Sequence, residues 1–414
     1  MDLHSWRDKV AKGVGKESLL ARIRVLDLAD EKASFCSKIL ADLGAHVTKV
    51  EKPGGDSSRG IGPFWENSAH PAESLSFWYN NANKLGVTLN LEDSAGREIF
   101  AKLSKNTDVI VESFQPGYLD KLGLSFEFMN TVNPGVIMVS VTGFGQNGPR
   151  RDFKSCDLVA SALGGQMYVT GSPSLFPIKA YGQQSYLAAS LYATVGILLA
   201  LRRRAKTGKG DHIDISLQEA VASTLEHVMV RYFNEQIVAK RSGNRHWNDF
   251  FCILPCKDGF IHLTPFVEWE TLVGLLESDG QAEDLKDERW KDETYRSEHL
   301  DHVIDVLGKW TKQYKVDDLF QLGQLMRFPW APIQSPSEIL ASPQLKARRF
   351  FTDFEHAELG SVIGYPGMPY RFSSQYSMPR KKAPRVAEDN VRVYEGDLGL
   401  SNRQLEGLSH KGII

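Results

Sequence analysis

Apolar residues in the first third of the chain come in short β-branched runs, and the stretches between them are apolar on one side only. Arg24-Val25-Leu26-Asp27-Leu28, the stretch Phe35 to Leu43, and Gly44-Ala45-His46-Val47-Thr48-Lys49-Val50-Glu51 predict strand, helix and strand, with a glycine at the helix exit. Val87 to Leu91, Ser94 to Leu103 and Asp108 to Glu112 repeat the unit, and Gly135 to Val141 predicts a further strand. Runs of this kind alternating with helices predict an α/β fold, a Rossmann-like, mostly parallel sheet covered on both faces. Ligands of such sheets sit beyond the strand C-terminal ends. Here those ends lead into Glu51-Lys52-Pro53-Gly54-Gly55-Asp56-Ser57-Ser58-Arg59, Ser113-Phe114-Gln115-Pro116-Gly117 and Thr142 to Pro149. Three Gly- and Pro-rich segments on one sheet edge predict a ligand cleft.

The pattern changes along the rest of the chain. Leu187 to Leu201 is the longest apolar stretch, interrupted by Ser190, Tyr192, Thr194 and Gly196. It is too short to span a bilayer and predicts a buried helix, with Arg202-Arg203-Arg204 as a solvated cap complementing the helix dipole. Beyond Arg241, strands are expected at Phe250 to Leu254 and Phe260 to Leu263, then charged helices from Trp269 to about Gln324. This is the texture of a smaller α+β domain. Turn signals at Gly364 to Pro369 and Ser377 to Pro384 precede a short helix from Asn402. The expected division is a large domain over 1–225 with a C-terminal return over 335–414, and a linker with a small domain over 226–334.

At 414 residues the chain exceeds what one core supports, which agrees with two domains. A formal net charge of -2 points to no nucleic-acid or membrane partner, so an anion site must be local. Four cysteines make no disulfide framework and suit a reducing cytoplasm. Cys252 and Cys256 are half of a metal set with no second half, so they read as ordinary thiols and no metal is expected. The N-terminus, Met1-Asp2-Leu3-His4-Ser5-Trp6, has the form of neither a signal peptide nor a membrane anchor.

Ordered blocks run nearly end to end. They include Leu40-Ala41-Asp42-Leu43-Gly44-Ala45, Lys49 to Pro53, Asn83-Lys84, Glu112 to Gly117, Gly143 to Gln146 with Gly148-Pro149, Pro255 to Gly259, Ala331 to Ile333 and Gly367-Met368-Pro369. In that order they resemble the family III CoA-transferases, the formyl-CoA and carnitine CoA-transferase group. The resemblance implies interlocked dimers of open rings, with a site between the large domain of one chain and the small domain of the other. It implies a CoA thioester as substrate and no tightly bound cofactor. By position it places Lys52, Lys84 and Lys154 at the nucleotide end of CoA and Ser113, Phe114, Gln115, Pro116 and Gly117 in a loop against it. Lysine supplies a compact cation for phosphates, and glycine lets backbone N–H groups approach them. The chain departs from the family pattern where Ser113 and Gln115 replace the commoner Asn and a basic residue, and where Glu31 to Cys36 lacks the usual Gly-Pro.

One departure bears on chemistry. Counting back from Thr207-Gly208-Lys209-Gly210 puts the family's nucleophilic aspartate on Tyr186 and its following glycine on Ser190. The family reaction needs a carboxylate, because its acyl intermediate must be reopened by thiolate and exchanged with an acid; a phenol, with its ordinary pKa of about 10, does not substitute. The related racemases need a histidine and an aspartate, and here Cys156 and Tyr186 take both places. Three readings follow. The first is the aspartate-lacking subunit of a heteromeric CoA-transferase, working with a homologous catalytic subunit; its donor would be succinyl-CoA and its acceptor an aromatic succinate such as benzylsuccinate. The second is a CoA-thioester-binding homodimer with a regulatory or scaffold role. The third is an active transferase using a displaced acid, Asp157 or Asp152.

Overall fold

A computed structural model describes residues 18–246, 251–373 and 381–414. Residues 1–17, the strand start expected at Phe250 and the turn-rich stretch opening at Ser377 lie wholly or partly outside the described residues. The chain divides into two compact units: one comprises 1–166, 179–230 and 349–414, the other 167–178 and 231–348.

The first unit is built on six parallel strands, β1 (Arg24–Asp27), β2 (His46–Glu51), β3 (Leu85–Thr88), β4 (Val109–Glu112), β5 (Ile137–Thr142) and β6 (Asp211–Ser216), in the order β3-β2-β1-β4-β5-β6. Strand alternation sorts their side chains onto two cores. Val25, Val47, Val109, Val111 and Val139 face the helices Ser34–Asp42 and Gln184–Thr207, whereas Leu26, Val50, Val87, Ile110 and Met138 face Ser94–Ser104 and the C-terminal residues. Because both faces are covered, the inner strands have almost no polar periodicity, as the sequence pattern implied.

The helix Gln184–Thr207 runs 24 residues, longer than its apolar stretch suggested, and by length and composition alone it could cross a membrane. In the fold it is a core helix. Ala189, Ala193 and Ile197 are fully buried along one side, and Gly208, with a φ of +70°, ends it. Arg204 is no solvated cap: its guanidinium lies 2.8 Å from the Asp108 carboxylate and donates to the Gly135 carbonyl at 3.0 Å, tying the helix end to the entries of β4 and β5.

The C-terminal segment closes the free edge of β3. Asp389 and Asn390 side chains accept from the Gly86 and Thr88 amides at 2.9 Å each, and the Tyr394 hydroxyl donates to the Thr88 carbonyl at 2.7 Å. Gly86 is needed there, since a Cβ would lie 2.6 Å from the Pro384 ring. The turns expected near Gly364 are instead part of an antiparallel hairpin, β10 (Phe351–His356) and β11 (Ser361–Pro366), whose Phe354 and Tyr365 pack on Phe77 and Trp78.

In the second unit, β7 (Cys252–Pro255), β8 (Phe260–Leu263) and the short β9 (Ala331–Pro332) form an antiparallel sheet. The helices Trp269–Ser278, Leu300–Thr311 and Val316–Leu325 pack around a core containing Trp290, Trp310 and Trp330. Cys252 and Cys256 are free thiols, and burial pushes them up to about 12 and about 11.

At the C-terminal end of β1, Lys84 and Asp27 are both fully buried and lie 2.8 Å apart. The Lys84 ammonium also lies 2.9 Å from the Ser34 carbonyl, the Ser37 hydroxyl and the Asn81 side-chain oxygen. Removing one member of a buried pair leaves the other charge uncompensated. Lys84→Ala is therefore expected to lower stability by about 3–5 kcal/mol in urea denaturation, before any ligand is added.

Candidate functional site

The loops after β1, β2 and β4 meet in a cleft of about 570 Å³, lined by Asp30, Lys52, Asn90, Glu92, Ser113 and Phe114 among others. Three of the residues selected from the sequence thus share one cavity: Lys52 is exposed at its edge, and Ser113 and Phe114 form its wall. Ser113 is committed to the loops themselves. Its hydroxyl donates to the Asp30 carboxylate at 2.7 Å and accepts from the Asp30 amide at 2.9 Å, joining the β1 and β4 exits. The Phe114 ring packs on Tyr118 at 4.7 Å, Pro116 is buried, Gln115 is exposed, and Gly117 turns the chain with a φ of +79°. Lys154 is exposed on the loop that follows β5.

Lys84 is a correction. It reads from the sequence as a cation for the nucleotide end, but its ammonium is wholly enclosed by Asp27, Ser34, Ser37 and Asn81 and is absent from the cleft wall. Burial pulls it down to about 8, against the stabilising charge of Asp27. It ties the end of β1 to the helices Ser34–Asp42 and Leu75–Asn81.

A second buried layer supports the same loops. Glu51 receives Arg59 through two bonds of 2.6 and 2.7 Å, and its carboxylate also accepts from the Asp56 amide at 2.8 Å. Asp56 in turn lies 3.5 Å from the fully buried ammonium of Lys49, whose charge, once burial is overcome, holds the Asp56 carboxyl below its usual range. Glu112, under the Ser113 to Gly117 loop, accepts from the Phe114 amide at 2.7 Å, and burial pushes its carboxyl up to about 7. No composition or spacing signal marks Glu112, because one acidic residue at a strand end is common.

Tyr186 occupies the first turn of the helix Gln184–Thr207 and is 6% exposed within the core. Its hydroxyl accepts the Asp157 amide N–H at 3.0 Å. Burial, and then the charge of Glu31, push the phenol far above its ordinary range, so it is a neutral hydroxyl at physiological pH. Glu31, whose own carboxyl is raised by burial and by Asp30, was not singled out by sequence. Its position just past β1 was the available signal.

Of the two acids considered as displaced nucleophiles, Asp157 is firmly engaged and Asp152 only loosely paired. Asp157 is buried; one carboxylate oxygen accepts from the Ser185 amide at 2.9 Å and the other lies 2.8 Å from the Lys179 ammonium. Asp152 is exposed and lies 3.4 Å from the Arg151 guanidinium. Ser190, in the place of the family glycine, is fully buried, with its hydroxyl oxygen unpartnered. In the second unit, Glu283, Asp284 and His302 approach one another, but His302 and Arg289 already pair with Asp284, which makes this an ion-pair network.

A doubly covered parallel sheet with a loop-built cleft at its C-terminal edge is the architecture of a nucleotide-type ligand binder. The chain belongs to CoA-transferase family III, whose model matches residues 20–390. It is 34% identical to the succinyl-CoA:(R)-benzylsuccinate CoA-transferase subunit BbsE of Thauera aromatica, an alignment covering 95% of this chain and 98% of that one. It is 30% identical to the succinyl-CoA--L-malate CoA-transferase beta subunit of Chloroflexus aurantiacus, over 95% and 98% of the two chains. The crystal structure of a CAIB/BAIF family protein from Brucella suis superposes with a TM-score of 0.81 at 30% identity, covering 92% of this chain and all of the other.

Glu112 makes the loop sensitive to pH. Its native pKa, about 7, lies above the unfolded carboxylate value, so between roughly pH 4.5 and 7 the native state holds the extra proton. Stability is therefore expected to fall as pH rises through that window, by up to about 3 kcal/mol. Glu112→Gln should flatten this part of the stability profile in denaturant titrations at successive pH values, and an unchanged slope would count against the assignment.

Proposed function

We propose that this chain is the non-catalytic subunit of a heteromeric CoA-transferase that moves CoA from succinyl-CoA to a carboxylic acid, best matched by an aromatic succinate such as benzylsuccinate. The observation that carries the reading is Tyr186, a neutral, core-packed phenol in the nucleophile's place. In the working subunit of such a pair, a carboxylate attacks the donor thioester and releases CoA thiolate. The thiolate opens the resulting anhydride, expels succinate and leaves an enzyme thioester. The acceptor acid then attacks that thioester, and the returning thiolate completes the acyl-CoA product and frees the carboxylate. Tyr186 cannot enter this sequence, and Asp157 is held by Ser185 and Lys179. The naming of the benzylsuccinate relative as a subunit supports the heteromer and its substrate class.

An interlocked pairing with the homologous chain is part of the proposal. It is supported by the apolar residues left exposed on the helix Gln184–Thr207, namely Leu191, Tyr192, Val195, Leu198 and Leu199, which a partner chain would cover. The free thiols support assembly in a reducing cytoplasm.

Mass analysis of the native complex, isolated through a tag on this chain, tests the reading. A stoichiometric second chain of similar length bearing aspartate in the slot of Tyr186 is expected, and a complex of this chain alone would overturn it. Within the complex, Tyr186→Phe is expected to cost about 1 kcal/mol of stability through the lost hydrogen bond and to leave the transfer rate within about twofold. A collapse of rate without loss of folding would instead give the hydroxyl a chemical role.

A further inference from the structure

The cleft has little positive charge to offer a polyanion. Glu51 and Asp56 are paired with Arg59 and Lys49, and Asp30 pairs with Lys32, so Lys52 is the one cation in its wall without an ion-pair partner among the described residues. The loop Ser113 to Gly117 brings no basic side chain. A cation does reach that loop from the next one. The Arg151 guanidinium lies over Gly117, with Nη2 3.3 Å from the point a Cβ would occupy. Gly117, in a left-handed turn, presents no side chain to the guanidinium, and a Cβ there would press on Nη2 by a few tenths of an ångström.

Resting on the reading of this cleft as a CoA-thioester site, we infer that Arg151 is an anion-binding residue of this chain and holds a phosphate group of the acyl-CoA against the Ser113 to Gly117 loop. A guanidinium offers a planar fork of donors matched to phosphate oxygens. Its present partner, Asp152, is 3.4 Å away with a side chain 76% exposed, an ion pair in water that a phosphate readily displaces. The Arg151 side chain is itself 41% exposed, open to a ligand in a way that Lys84 is not. Lys52 and Arg151 would then share the charge that Lys84 does not supply.

The test is amide hydrogen exchange on the intact native complex, titrated with CoA. The amides of Phe114 to Leu119 in this chain report its own cleft, whatever its partner binds. CoA is expected to slow their exchange, with a midpoint raised about tenfold by Arg151→Gln, the loss of one charge-assisted contact, and partly restored by Arg151→Lys. Exchange in β4 and β5 without CoA should be unchanged, which excludes misfolding. Equal midpoints in wild type and Arg151→Gln would overturn the role of Arg151 alone. No protection of this loop in the wild type would overturn it together with the reading of this cleft as a CoA site.

Discussion

The first unit depends on the ion pair between Asp27 and Lys84, formed where solvent cannot reach either charge. Asp27 ends β1, Lys84 immediately precedes β3, and the oxygens completing the ammonium's shell come from the helices Ser34–Asp42 and Leu75–Asn81. Two strands and two helices are thus tied to one cation. A buried pair of this kind gains little over apolar residues of similar size, but it tolerates no partial formation. The loop leaving β1 starts from this pair, and it forms part of the cleft wall.

Ion pairs beneath the cleft follow the same logic and set its electrostatics. Glu51, Asp56 and Asp30 all lie near the ligand space, yet each is neutralised from below or beside, by Arg59, Lys49 and Lys32. These cations are consumed by the architecture. The chain therefore has abundant lysine and arginine near the site but few of them free, and a charge count from sequence overstates what a phosphate would meet.

Much of the fold was legible because strand periodicity and parallel-sheet burial leave strong marks: β1, β2, β4 and β5 fall where the apolar runs placed them. The cleft was legible for a related reason, since loops at the C-terminal ends of parallel strands converge whatever their composition. What the pattern does not encode is which face of a loop a polar side chain takes. Lys52 and Lys84 look alike as text, and one is exposed at the cleft while the other is fully buried. The hairpin β10–β11 was missed because its turn-forming residues outweighed its short alternation, and its pairing is settled by packing on Phe77 and Trp78.

The surroundings of Tyr186 favour a neutral side chain in that position. Glu31 and Asp30 both act on the phenol electrostatically, and Asp157 adjoins it through its amide. A carboxylate in that slot would add a further negative charge to a buried region that already raises Glu31 above its ordinary range. A phenol brings no charge, fills apolar space beside Ala160 and Ala189, and still accepts the Asp157 N–H that a carboxylate oxygen could have taken. Asp157 is itself held in place by the Ser185 amide and the Lys179 ammonium.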